Sequence, residues 1–452
     1  MITRPRRPAG YWVERILALA VVLSLAWSFL YLYRFGYLPQ PFFYEPSDTW
    51  MDWFNTAYWA HNPGAYDTWG TIYPPLSFLF LKVLTNPVCY PGAEGLPSRA
   101  CDTYGVIAIH AIFLVNCWLV WKSFRKIDPR TAAPRTIALC LGMPMAYGLE
   151  RGNLILLAFT FMLLAYGPLV RSARLRWIAA ACAVNMKVYL IGSIFAQLLH
   201  RRWRWFEGAL VATIIVYLAS YAILGDGTPW QIYDNITDFS SGWQAASLLD
   251  LWYTSSYKPV LSLLNGSTFP VVGILGSRFV DVSLVVVTAA IHAVQASIVL
   301  AAVASWFRPE AVPPYRLVFL AVALALITSE AGGYTQVLLI LFVFMEPWKG
   351  FGRKFAIISA YVLCLANDIK IDSVPPAVSD SFLAGGPRIT EHFVGIGPFL
   401  RPAIVLAMAF ALAMVTIRDA WIDLRRQGWR LGRRPGTSEG SFAGPLPAER
   451  ST

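Results

Sequence analysis

Two aspartates four residues apart, Asp48 and Asp52, stand in the segment SDTWMDW, just beyond the first long apolar run of the chain. A carboxylate poised over an apolar cavity can serve as a general base, taking the proton of an attacking hydroxyl. If the segment is helical, this spacing puts both acids on one face. The bland alternative for either one is a helix N-cap or a solvated acid. Three further polar stretches follow. DTWGTIYPPLSFLF contains Tyr73-Pro74-Pro75, whose prolines suit a first helical turn. GLERGN contains Glu150, Arg151, Gly152 and Asn153, which in isolation reads as a turn whose arginine pairs with its neighbouring glutamate. NMKVY puts Lys187 and Tyr189 in an otherwise apolar run, where inserting a cation costs roughly 2.5 to 3.5 kcal/mol, so the lysine needs a partner or a task. Arg151 and Lys187 together would supply two cations at one membrane depth, which suits a lipid-linked phosphate.

The elements that must position these residues are set by composition. The 452 residues are 57% hydrophobic and 14% charged, with 18 Trp and a mean hydropathy of +0.52. That is too apolar for one soluble core and points to a polytopic all-α membrane protein. The net charge of +11 lies in short clusters between apolar runs, as the positive-inside rule requires, and not in a patch for nucleic acid. The run Ile16 to Tyr33 follows Arg4, Arg6, Arg7 and Arg15 and lacks a small-residue cleavage site, so it reads as a retained span.

Charge parity sets the expected topology, from a cytoplasmic N-terminus. The segment 34–104 stays external, with Tyr73 to Leu84 an interfacial or re-entrant helix. Thr136 to Glu150 and Asn153 to Val170 form a short hairpin broken at ERGN, and a second short hairpin turns between Lys187 and Gly192. Loops 225–278 and 368–399 are also external. The expectation is about 12 crossings in a single domain, 1–434, with both termini inside, and a disordered cytoplasmic tail over 435–452 that is rich in Gly, Pro and Ser. Five scattered histidines give no metal-ligand spacing, and no nucleotide-binding glycine loop is present. Cys89 and Cys101 share a polar loop that parity places in the oxidising compartment, so they are expected to form a disulfide, with free thiols the alternative.

These residues, in this order, resemble the polyprenyl-phosphate-sugar-dependent glycosyltransferases of the GT-C superfamily, especially the family of the mycobacterial mannosyltransferases that extend phosphatidylinositol mannosides. The resemblance spans roughly residues 10 to 420 and rests on Asp48, Tyr73 to Pro75, Gly152 with Asn153, and Lys187 with Tyr189. It implies an inverting hexosyl transfer, without a cofactor, from a polyprenyl-phosphate-linked sugar to a lipid or glycan acceptor at the external face of a bacterial plasma membrane. Asp48 would be the base and Asp52 its rival, while cationic side chains hold the leaving phosphate. Asp48 is preferred because its spacing to Tyr66, in GAYDTW, resembles the family's spacing from its aspartate to a Pro-Tyr pair. Where family members carry a histidine near the external end of a late helix, this chain has TSEAGGYTQ, with Glu330, Tyr334 and Gln336, which implies a different acceptor contact. The competing class is a transporter or flippase of lipid-linked sugars, which would predict two similar halves; none are seen.

Overall fold

The computed structural model describes residues 9–92, 95–242, 251–266, 271–329 and 331–427. Helix accounts for 73% and strand for 6%, which makes this a helical protein with one β addition. In chain order the first helices are α1 (Ala9–Phe35), α2 (Met51–His61), α3 (Pro75–Leu84), α4 (Gly95–Cys101), α5 (Thr103–Ile127), α6 (Ala132–Leu141) and α7 (Met143–Arg151). There follow α8 (Ile155–Tyr166), α9 (Ala173–Val184), α10 (Ile191–Leu199), α11 (Trp203–Leu224), α12 (Pro229–Gly242), α13 (Lys258–Asn265) and α14 (Val271–Leu275). The last are α15 (Ser277–Phe307), α16 (Pro314–Thr328), α17 (Gln336–Val343), α18 (Phe351–Leu363) and α19 (Gly397–Gln427). Between α18 and α19 the strands β1 (Lys370–Asp380) and β2 (Pro387–Gly395) pair antiparallel, so the all-α expectation is corrected in the stretch 368–399. The expected tail, 435–452, lies outside the described residues, as does Glu330.

Five helices, α1, α5, α11, α15 and α19, are long and apolar enough to cross a membrane. Their outward-facing side chains include Leu23, Ile215 and Val285, the surface that lipid contact requires. These are the features of a helical membrane protein. The other helices are short for identifiable reasons. Gly142 and Pro144 separate α6 from α7, and a Cβ at Gly142 would stand 2.7 Å from Cys364. Helix α9 ends at Val184 and the chain resumes as a 3-10 turn at Val188–Leu190, so Lys187 sits at the break itself and not at the edge of a later turn. At about 1.5 Å per residue, the ten residues of α3 extend only about 15 Å, half of a hydrocarbon core.

Buried ion pairs tie the helices together at two levels. At one end Glu14 of α1 accepts two bonds from Arg135 of α6, at 2.7 and 2.8 Å, and Glu346 accepts two from Arg316 of α16, at 2.6 and 2.7 Å. Asp419 of α19 joins the same group through Arg316 at 2.9 Å and through Arg353 of α18. At the other end Arg401, in the first turns of α19, reaches Asp368 at 3.1 Å. Along α19 the two levels are 18 residues apart, about 27 Å, close to the thickness of a bilayer's apolar core. A small separate core of Phe42, Met143, Tyr147, Trp252, Tyr253 and Ala366 fills the Arg401 end and underlies the candidate site.

Candidate functional site

Asp48 closes the 3-10 turn Pro46–Asp48, and Asp52 lies in the first turn of α2. They do not share a helix face. Trp50, between them, takes a left-handed backbone with φ 63°, held by its N–H donating to the Glu150 carbonyl at 2.7 Å. What brings the two acids together is the Arg151 guanidinium. Its Nη1 donates to Asp48 Oδ2 and its Nη2 to Asp52 Oδ1, each at 2.6 Å, while the ring of Phe43 lies 4.1 Å from its centre. The alternative of an isolated turn, with Arg151 paired to Glu150, is therefore not what forms. Asp48 and Asp52 are the partners, and the Glu150 carboxyl is buried apart from that ion pair, its backbone carbonyl holding Trp50. A guanidinium already spent on two carboxylates orients them better than it holds a phosphate.

The ERGN turn makes this geometry possible. Arg151 is the last residue of α7, near the negative end of the helix dipole. Gly152 follows at φ +64°, and a Cβ there would lie 2.9 Å from Trp53 Cβ and 3.2 Å from the Trp50 backbone. Only glycine both turns the chain and lets α2 approach so closely. Asn153 then donates from Nδ2 to Asp52 Oδ2 at 2.7 Å, and its Oδ1 accepts the N–H of Ile155, the first residue of α8, at 2.9 Å. Both oxygens of Asp52 are thus engaged. Asp48 Oδ1 accepts no hydrogen bond among the described residues, and the Asp48 side chain is 26% exposed.

Arg99, which the sequence reading did not single out, holds the same aspartate from the other side. It is buried, donates through Nη1 to the carbonyls of Ser47 and Thr49 on either side of Asp48, and stacks 3.7 Å from the Phe382 ring. Its helix, α4, is fastened by the disulfide Cys89–Cys101, whose Cα atoms are 5.6 Å apart. The neighbouring Asp102 caps α5 through Gly105 N and accepts the Tyr90 hydroxyl at 2.8 Å. An arginine two residues from a cysteine in a loop closed upon itself was the available signal. Closing a loop of this size is worth about 3 kcal/mol by chain entropy. Replacing both cysteines by serine is accordingly expected to lower the thermal midpoint of the detergent-purified protein, and non-reducing mass mapping should recover the bridge. Free thiols at both positions would count against the bridge and against an oxidising location for Asp48.

Lys187 forms a second group. Its ammonium donates to the Tyr73 hydroxyl at 3.1 Å, lies 4.4 Å from the Tyr73 ring centre and 6.0 Å from that of Tyr334. Among the described residues no carboxylate is in ion-pair range of it. Tyr334 stacks on Tyr147 at 6.0 Å, one turn of α7 before Arg151, and this links the two groups. Tyr147 in turn meets Tyr253 at 4.8 Å, with Arg401 lying 5.0 Å from the Tyr253 ring. Tyr66, expected at the substrate, is instead buried and donates its hydroxyl to the Tyr73 carbonyl at 2.9 Å, so it orders the Tyr-Pro-Pro segment from behind. Tyr189 is half-buried in the 3-10 turn after Lys187. No group of three or more metal-ligating side chains occurs among the described residues. Comparison with protein-family models, with curated proteins and with solved structures finds no match for this chain.

The arrangement offers one carboxylate oxygen that accepts no hydrogen bond among the described residues, on a segment held by two arginines, and a lysine in an aromatic cleft. Such groups have the chemistry to accept a proton and to hold an anion.

Proposed function

We propose that this chain is a membrane glycosyltransferase that moves a hexose, with mannose the sugar its resemblance names, from a polyprenyl-phosphate donor to a lipid or glycan acceptor. Asp48 Oδ1 takes the proton of the acceptor hydroxyl, the oxygen attacks the anomeric carbon, and the bond to the phosphate breaks with its electron pair leaving on the polyprenyl phosphate. Lys187, steadied by Tyr73, neutralises that leaving group. The observation that carries the reading is the uncommitted Asp48 Oδ1 beside an Asp52 whose two oxygens are both occupied. Asp52 and Arg151 are then positioning residues for Asp48.

In this reading α1, α5, α6 with α7, α8, α9, α10, α11 and α15 to α19 make twelve crossings of a bacterial plasma membrane, with the Asp48 end outside and both termini inside. The ion pairs at the two levels support it, because Glu14, Arg135, Arg316, Arg353 and Asp419 meet at one end and Asp48, Arg151, Asp368 and Arg401 lie at the other. It also agrees with the basic clusters of the sequence, which parity assigns to the inside.

Lys187→Ala is expected to weaken binding of a polyprenyl-phosphate analogue by tenfold or more, the scale of one charge-assisted contact of roughly 1.5 to 3 kcal/mol. Fluorescence titration of the purified variant reads this directly. Unchanged binding would move the phosphate site away from Lys187 without touching the assignment of Asp48.

A further inference from the structure

A cavity of about 440 Å³ opens at the end of α1, lined by Phe29, Tyr33, Arg34, Gly36, Leu383 and Arg388 among others. It lies outside both groups of the candidate site. Two arginines line it and, among the described residues, no carboxylate does. Arg388 reaches it by passing over Gly36, where a Cβ would sit 2.8 Å from Nε, so a side chain at that position would block the approach. The arginine is braced by donating from Nη2 to the carbonyls of Ala384 and Gly385, at 3.5 and 3.3 Å. The turn just before its strand, β2, is fastened to the end of α1 through Ser381 Oγ, which donates to the carbonyl of Gly36, the residue after that helix. Arg34, in the last turn of α1, lies with its guanidinium 5.4 Å from the Phe35 ring.

The cavity is open, and Phe29, Leu32, Tyr33 and Phe35 of α1 supply its apolar surface, with Phe29 56% and Tyr33 88% exposed. A pair of guanidinium groups where the apolar face of a spanning helix ends combines two requirements. It wants a phosphate for the arginines and hydrocarbon for Phe29 and Tyr33. We infer that this cavity binds the phosphate headgroup of an anionic phospholipid in the leaflet on the Asp48 side, with the acyl chains running along α1. The lipid would hold the β-hairpin down on the helix. Because Phe382 of that hairpin turn stacks on Arg99, the bound lipid also supports the backbone around Asp48.

The inference needs no sugar transfer, so its test is separate from that of the proposed activity. The protein is reconstituted in nanodiscs of equimolar phosphatidylglycerol and phosphatidylcholine, and lipid retained after detergent release is read by native mass spectrometry. The wild type should retain phosphatidylglycerol over phosphatidylcholine. The Arg34→Gln/Arg388→Gln double variant should lose that preference by roughly tenfold or more, and Arg34→Lys/Arg388→Lys should keep part of it. The thermal midpoint and the intact Cys89–Cys101 bridge report that the variants are folded. Equal retention of both lipids by the wild type, or an undiminished preference in a folded glutamine variant, would overturn the inference. So would displacement of the lipid by millimolar inorganic phosphate, which would mark a site for the free anion.

Discussion

Asp48→Asn should lower transfer by about 100-fold or more while leaving the protein folded and able to bind donor lipid, the scale that loss of a general base commands. The substitution is nearly isosteric. An asparagine oxygen still accepts from Arg151 Nη1, which also has the residue-48 carbonyl at 3.2 Å, and the two carbonyls gripped by Arg99 belong to Ser47 and Thr49 and are untouched. What disappears is the ability of the free oxygen to hold a proton. Initial rates with a polyprenyl-phosphate sugar, alongside analogue binding and thermal midpoint, separate chemistry from folding. Asp52→Asn should act differently, because both of its oxygens accept, and an amide nitrogen there would face either Arg151 or Asn153, donor against donor. A loss of stability larger than that of Asp48→Asn is therefore expected. Near wild-type turnover in Asp48→Asn with abolished turnover in Asp52→Asn would hand the role of base to Asp52. If the purified wild type yields no glycosidic product but moves the lipid-linked sugar across the bilayer, the flippase reading takes over.

Part of this site was legible in the residues alone. Ionisable groups in apolar surroundings are costly enough that Arg151 and Lys187 stood out without any structure, and the two cysteines of one polar loop pointed to each other. Asp48 and Asp52 were recognised for the wrong geometric reason. Helical spacing seemed to align them, whereas the left-handed Trp50 breaks the helix between them and the alignment comes from a guanidinium about 100 residues further along the chain. Such long-range pairing has no periodic signature. Arg99 was missed for a related reason, since its partners are backbone carbonyls, which every residue possesses. The hairpin β1–β2 escaped because SVPPAVSD carries two prolines, and proline ordinarily argues against a strand; here the register slips between Val374 and Ala377, around those prolines, accommodating them. The break at Gly152-Asn was foreseen, since it is punctuation that acts locally, whereas Thr136 to Glu150 was expected as one arm and the break at Gly142-Met-Pro inside it was missed.

Arg151 should prove the least replaceable of the positioning residues. Its side chain is only 10% exposed, and the two carboxylates it joins are 26% and 24% exposed. Arg151→Met would leave two acids close together with no counter-charge between them. Removing one partner from a buried ion pair costs about 3 to 5 kcal/mol, and the access of water to the aspartates brings the expected loss toward the lower end of that range. Arg151→Lys isolates the geometry, because it keeps the charge and gives up the fork. One ammonium on a flexible stem cannot hold both oxygens at 2.6 Å from two directions as Nη1 and Nη2 do. The lysine variant is expected to recover most of the thermal midpoint lost in the methionine variant, yet to remain at least tenfold below wild type in turnover, because an aspartate displaced by about an ångström no longer meets the acceptor hydroxyl. Adding Asp52→Asn to Arg151→Met should restore stability by removing one of the two unpaired charges, and should restore no activity. Wild-type turnover in Arg151→Lys would mean that a point charge suffices, and that the bidentate grip on Asp48 and Asp52 plays no part in placing the base.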